Sequence, residues 1–351
     1  MIIGVYKDIH PFNYLSQERI TAYLTEAHAQ NVELVFFGID HVYLDDKYLI
    51  GDVFGREGWL KKEMEFPKIM INDFGEKLNY STNVKHEKKL KESIFQTVHP
   101  IQNKIVLNRR LLTTKCANYI LPTKLVNDEQ NVYAMLDLYK KVIIKPTEGN
   151  STYEDLVITK GIKGYKVQDY KKMYILDNDK FKAFLSFLVI QNRYLVQPFI
   201  EGRLANEHPV DFIVHVIKNE KGRWMPFSTK ARIRPNIDYT LVGSTMKKTL
   251  EATNFLYQHY SRQQSEKIIE KLNEVAMQLA IEIESLYPYY LDELTIDLVM
   301  NQYDEIQFCE ANTCPKITEN IALEERDRAY HMLGYTKHLL NQLLPSHGEY
   351  I

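Results

Sequence analysis

The chain has 351 residues, 45% of them hydrophobic and 26% charged, with a formal net charge of −2. This is an ordinary globular composition with material for two or three domains, and it excludes a collagenous, low-complexity or disordered chain. A near-neutral balance gives no global attraction to nucleic acid or to an anionic membrane, and no run of about 18 apolar residues offers a helical span, so neither partner is expected.

Read from its start, MIIGVYKDIHPF lacks the basic and long apolar regions of a signal peptide. Apolar residues 2–6 predict a strand, residues 18–30 a helix and residues 32–38 a second strand. That rhythm suggests a small α/β domain over residues 1–105, with residues 61–68 leading into a further strand at 69–71. The charged stretch 83–90 reads as a solvated helix or connector and carries no chemistry.

Residues 106–200 form a second unit. KKVIIKPTEGNSTYEDLVITKGIKGYKVQ reads as strand, polar loop, strand, glycine turn, strand. Lys145 ends the first of these strands. A lysine there, followed by a small-polar loop, suits nucleotide binding: the ammonium reaches a phosphate as a point charge. Backbone N–H groups and hydroxyls of Gly149, Asn150, Ser151 and Thr152 can then close over the phosphates. A solvated lysine is the competing explanation, and neither a Walker A nor a G-x-G-x-x-G sequence is present. After a helix over 179–188, YLVQPFIEG is a strand at a unit boundary. Gln197, Pro198, Phe199 and Ile200 would hinge against an adenine, with Glu201 near the ribose.

The third unit, 201–345, opens with a hairpin: strand 210–217, a turn at 219–222, and strand 224–233. Lys230, Arg232 and Arg234 alternate, hence share a face, either as a solvated edge or as a grip on phosphate or an acidic substrate. LDELTIDLVMNQYDEIQFCEANTCPK then predicts two strands around the turn 301–305. Leu294, Ile296, Leu298 and Met300 alternate with Thr295, Asp297 and Val299, the pattern of one buried face. With Met300 facing Gln307, Asp297 falls opposite Glu310, and Asn312 shares Glu310's face. Opposed carboxylates repel unless a cation separates them. The choice is between a solvated sheet face and a hard divalent ion, Mg²⁺ or Mn²⁺, whose shell substrate phosphates complete. The three cysteines, Cys116, Cys309 and Cys314, form no C-x-x-C pair, and the odd count points to the reducing cytoplasm.

The order strand–lysine–loop–strand, Q-P-F-I, V-D-F-I-V-H-V with K-A-R, and I-D-L followed by F-C-E-A-N resembles the ATP-grasp superfamily, and within it the spore-coat-associated YheC/YheD type. The resemblance covers about residues 106–340. It implies two α+β subdomains clasping ATP behind the small α/β domain, Mg²⁺ held by Asp297, Glu310 and Asn312, and an acyl-phosphate intermediate. Lys145 takes the place of the phosphate-binding lysine, Gln197 to Ile200 that of the adenine hinge, and Arg232 that of the basic residue after the hairpin. Arg109 stands where an earlier lysine is expected. Three departures accompany it: one glycine, Gly149, in the phosphate loop; Ile213 in place of an arginine; and a loop from Gly243 and Ser244 without the later Asn and Gly-Gly. The implied activity is carboxylate–amine ligation, with a small carboxylate or peptide as donor, Lys230 and Arg232 at the reacting centre, and ADP and phosphate released. The alternative is a nucleotide-binding coat or scaffold protein without turnover, and a phosphotransferase on the same fold ranks third.

Overall fold

The computed structural model describes residues 1–7, 10–13, 15–72, 84–97, 101, 103–148, 154–169, 172–200, 202, 210–233, 248–301, 303–313 and 322–343. Among these, three sheets organise the chain.

The first contains β1 (Ile2–Lys7), β2 (Glu33–Gly38), β3 (Val42–Tyr43), β4 (Tyr48–Gly55), β5 (Gly58–Glu65), β6 (Ile69–Asn72) and β7 (Phe95–Gln96). β1 lies parallel between β2 and β6, and β7 follows β6 in parallel. The crossover from β1 to β2 is α1 (Gln17–Ala29), started by Ser16, whose hydroxyl accepts the Arg19 N–H at 3.2 Å. Residues 61–65, the first part of the lead-in read at 61–68, instead belong to strand β5, because the turn from Gly55 to Gly58 folds them onto β4. The charged stretch around residue 87 forms α2 (Val84–Ser93), and its single leucine, Leu90, is fully buried against the first sheet.

α3 (Lys104–Leu111) leads to the second sheet: β8 (Lys124–Leu125), then after α4 (Glu129–Tyr139) β9 (Lys141–Pro146), β10 (Leu156–Lys160), β11 (Tyr165–Gln168) and β12 (Met173–Leu176), and after α5 (Asn178–Gln191) β13 (Tyr194–Pro198). All its pairings are antiparallel, and α4 and α5 bury one core with it, in which Tyr165 stacks on Phe181 at 3.8 Å.

The third sheet runs β16-β15-β14-β17-β18, from β14 (Val210–Lys218), β15 (Trp224–Ile233), β16 (Lys248–Glu251), β17 (Glu293–Met300) and β18 (Ile306–Asn312). Between β16 and β17 lie α6 (Ala252–Leu256) and the 24-residue α7 (Arg262–Ser285), opened by a Ser261–Gln264 capping box. Leu272, Val275, Ala276, Leu279, Ala280 and Ile283 recur at helical spacing and bury against Phe212, Val214, Ile296 and Leu298. The last helix, α8 (Ala322–Leu343), packs on α1 and joins the core of the first sheet to Ile217 of β14.

β17 corrects the one-face expectation: all eight residues are buried, since the sheet is covered on both sides. The hairpin register differs as well. Met300 pairs with Ile306, one residue off the expected partner, and a bulge beyond Leu298–Phe308 restores Asp297 opposite Glu310. The bulge sits at Cys309, beside the acid it aims.

Candidate functional site

The face of the third sheet turned away from α7 is polar. Asp211 and Ile213 on β14, Lys230 and Arg232 on β15, Asp297 on β17 and Glu310 on β18 lie side by side by register. Arg232 donates through Nε to Asp211 Oδ2 at 2.7 Å and through Nη2 to Asp297 Oδ2 at 2.7 Å, with a further close contact from Nη2 to Asp211. Burial works against the Arg232 charge, and Asp297 and Asp211 more than offset it, keeping the guanidinium firmly protonated. Burial raises the Asp297 carboxyl, Arg232 opposes the rise, and Glu310 and Asp211 add to it.

Glu310 takes its cations from outside the third sheet. Lys104 Nζ lies 3.0 Å from Glu310 Oε2, and Asn312 Nδ2 donates to Oε1 at 3.3 Å. Burial alone would push the Glu310 carboxyl up; Lys104, and then Lys145, outweigh it and hold the group down at about 2. Lys104 is placed by its backbone: Asn103 caps α3 with a left-handed φ of 55°, and Lys104 N–H donates to the Thr147 carbonyl at 2.8 Å, just beyond β9. The repulsion expected between the opposed acids is therefore met by the chain's own cations. Asp211, Asp297 and Glu310 are balanced by Arg232, Lys104 and Lys145.

A narrow cleft opens beside this cluster, between the second and third sheets. Lys145, Gln197, Pro198, Phe199 and Ile200 line one wall, and Asp211, Val299 and Cys309 the other. Gln197 is buried and its Nε2 donates to Thr123 Oγ1 at 2.9 Å, so its side chain braces the wall. The Phe199 N–H donates to the Lys141 carbonyl at 3.0 Å, and the Lys141 ammonium stands 4.5 Å over the Phe199 ring.

The remaining candidates scatter. Arg109 is exposed on the last turn of α3, and Lys104, at the start of the same helix, makes the contact with Glu310. Lys230 shares the Arg232 face but pairs with Glu324 of α8 at 3.2 Å, and Ile213 stands between it and Asp297 in the register. Gly149, Asn150, Ser151, Thr152, Glu201, Arg234, Gly243, Ser244 and Cys314 lie outside the described residues. Asp211 and Lys104 were missed by sequence reasoning. The first had a signal, its alternation with Ile213 opposite Arg232. The second had only the N-K that opens a helix.

The donor set suits a hard divalent ion: two carboxylates and an amide on neighbouring strands, all offering oxygen. Among the described residues no cluster of three His, Cys, Asp or Glu side chains forms a self-sufficient cage. With its acids already balanced, the cluster suits an ion that arrives with negative charge of its own, as a metal–polyphosphate does.

Residues 93–339 match the family described as YheC/D like ATP-grasp. The chain is 22% identical over 295 residues to the endospore coat-associated protein YheD of Bacillus subtilis, covering 80% of this chain and 63% of that one. It is 23% identical over 249 residues to the endospore coat-associated protein YheC of the same organism, covering 66% and 63%. The chain thus spans under two thirds of the length of these relatives. Its fold superposes on D-alanyl-alanine synthetase A of Vibrio cholerae with a TM-score of 0.55 at 12% identity, over 97% of this chain and 98% of that one. No helix among the described residues is long and apolar enough to cross a membrane. By sequence and by architecture, the chain is a member of the YheC/D like ATP-grasp family, with the ATP-grasp fold.

Proposed function

We propose that the protein is an ATP-dependent carboxylate–amine ligase. The observation that carries this reading is the convergence of Lys104, Lys145 and Arg232 on the opposed Asp297 and Glu310 at the edge of the 197–200 cleft. Adenine lies against Pro198, Phe199 and Ile200, and the polyphosphate runs past Lys145 and Lys104. Asp297, Glu310 and the Asn312 amide oxygen would hold Mg²⁺, which would supply charge neutralisation on the phosphates. The donor carboxylate attacks the γ-phosphorus and the bond to the β-phosphate oxygen breaks, leaving ADP and an acyl phosphate. An amine then attacks the acyl carbon, phosphate departs, and the amine proton passes to solvent. Arg232 faces the oxyanion of that second step. Positioning of donor against phosphate is the chain's main contribution, in favourable cases about 7–11 kcal/mol of barrier.

A second reading has its own observation. Ile213 puts an apolar side chain between Lys230 and Asp297, where a cation would extend the phosphate grip. A nucleotide-binding protein without turnover accommodates that substitution, and the coat association of YheD and YheC agrees with it.

The charge balance yields a test common to both. Mg²⁺ alone should leave the melting temperature unchanged and ATP with chelator should shift it weakly. ATP with Mg²⁺ should shift it strongly, since a ligand at about 100 times its dissociation constant stabilises by about 2.7 kcal/mol. ATP–Mg²⁺ should also slow alkylation of Cys309, which lines the cleft, as followed by peptide mass spectrometry. Absence of both effects removes both readings. Turnover decides between them: with pooled amino acids or peptides a ligase releases ADP and phosphate, and AMP with pyrophosphate excludes the acyl-phosphate route.

A further inference from the structure

Among the described residues, the second sheet ends in an edge strand whose residues differ in kind from those of edge strand β5. β12 is the terminal strand of the order β12-β11-β10-β9-β13-β8, and among the described residues its one strand neighbour is β11. Met173, Tyr174 and Ile175 are 52%, 46% and 78% exposed. Edge strands are ordinarily blunted by charge, as β5 is with Lys61, Lys62, Glu63 and Glu65. β12 carries no such protection. Asp169 N–H donates to the Lys172 carbonyl at 3.0 Å, closing the turn into β12. Ladder alternation from that pair points the N–H and C=O groups of Met173 and Ile175 outward.

The helix that follows supplies a second apolar surface. On α5, Ser186 turns toward α4 and bonds Glu129 at 2.5 Å. At about 100° per residue, Phe187 falls on the side away from α4. Phe187 and Ile190 are 61% and 82% exposed, on a helix already buried through Phe181, Leu185 and Leu188.

We propose that two copies of this chain pair antiparallel through β12 into one continuous sheet, with the two α5 helices side by side on the same face. The strand is self-complementary about Tyr174: an antiparallel copy sets Met173 opposite Ile175 twice and Tyr174 opposite its counterpart. Lys172 precedes β12 and Asp179 follows it, so opposite charges lie at the two ends of each strand, while Asp177 is taken by the α5 cap and by Lys180 at 3.2 Å. A two-fold axis perpendicular to the sheet preserves its faces and closes the assembly, bringing the Phe187 side of each α5 toward its own copy. The strand alone falls short of the roughly 1,000 Å² of a specific interface, so the paired edge requires the α5 helices to contribute the remainder.

Light scattering on the full chain at micromolar concentration should give twice the 41.4 kDa of one copy. Ile175→Lys places a charge on the outward edge without touching the β11 ladder, and should weaken the dimer by at least about tenfold. Its circular dichroism and its response to nucleotide should match the wild type. Tyr174→Cys should give, on mild oxidation, a covalent dimer absent from the wild type, because facing Cα atoms of a non-hydrogen-bonded pair lie about 4.5 Å apart. This variant also decides the matter if Ile175→Lys fails to fold. A wild type that stays monomeric at micromolar concentration, a folded Ile175→Lys protein as dimeric as wild type, or a Tyr174→Cys protein that does not cross-link overturns the proposal.

Discussion

At the scale of single residues, the site is a problem in charge compensation. Glu310 stays ionised because Lys104 and Lys145 face it, so removing either lysine acts on the acid and on any phosphate together. Lys104→Met should lower ATP affinity by tenfold or more, about 1.4 kcal/mol, while Arg109→Ala leaves it unchanged; isothermal titration separates the two. Equal losses would return Arg109 to the site. Asp292 poses the opposite case. Burial and then Glu293 push its carboxyl up to about 8, while Thr97 Oγ1 donates to it at 2.7 Å. An unfolded aspartate titrates near about 4. Between these values the folded state holds a proton that the unfolded state has lost. Stability should therefore fall as pH rises from about 4 toward about 8, and level off above. Asp292→Asn should flatten that slope and raise the melting temperature near pH 8, as calorimetry across pH would show; an unchanged slope would mean that Asp292 is ionised throughout. Lys104 was illegible in sequence because nothing local marks a helix-opening lysine as facing an acid about 200 positions later.

At the scale of elements, small backbone features aim the chemistry. The bulge at Cys309 turns a hairpin whose tip register is one residue off into one that sets Asp297 opposite Glu310. Gly202 performs a similar service where the hinge passes to β14: a Cβ there would meet the Val210 carbonyl oxygen at 2.3 Å and Val299 Cγ2 at 2.5 Å. Gly202→Ala should cost about 1–3 kcal/mol in denaturant melts and weaken nucleotide binding in the adjoining cleft. Full stability and full affinity would show that β14 shifts freely. The hairpins were legible from period-two alternation and polar turns. β12, β16 and the long α7 were not anticipated, and β12, lying unburied at an edge, leaves no such alternation to read.

At the scale of the molecule, α8 ties the first and third sheets through a chain of buried charges. His215 Nε2 lies 3.0 Å from Glu293 Oε2, and Arg328 grips Glu293 at 2.8 and 2.5 Å. Glu325 continues the line 3.9 Å from Arg328 and accepts from Arg19 of α1 at 2.9 and 3.0 Å. Arg328 is 1% exposed, so Arg328→Met strands the Glu293 charge beside His215 and should cost about 3–5 kcal/mol. A melting temperature within a degree or two of wild type would show that the pair contributes nothing net. The same tie fixes where the first sheet stands relative to the acid face, because Glu324, which holds Lys230, lies on that helix too.

The sequence by itself determined the elements whose signal is local: the strand–helix–strand start of the first sheet, the hairpins of the second and third, the two strands that carry Asp297, Glu310 and Asn312, and the strand that ends near Lys145. Each is written in alternation, turn residues or spacing within some twenty positions. Only the tertiary structure decided which cations answer those acids, that β17 is covered on both faces, and that Lys230 belongs to α8 while Arg232 belongs to Asp297. Those choices depend on packing between units far apart in the chain. A side chain's charge is readable from its type, but its partner is set by whichever distant element burial brings against it.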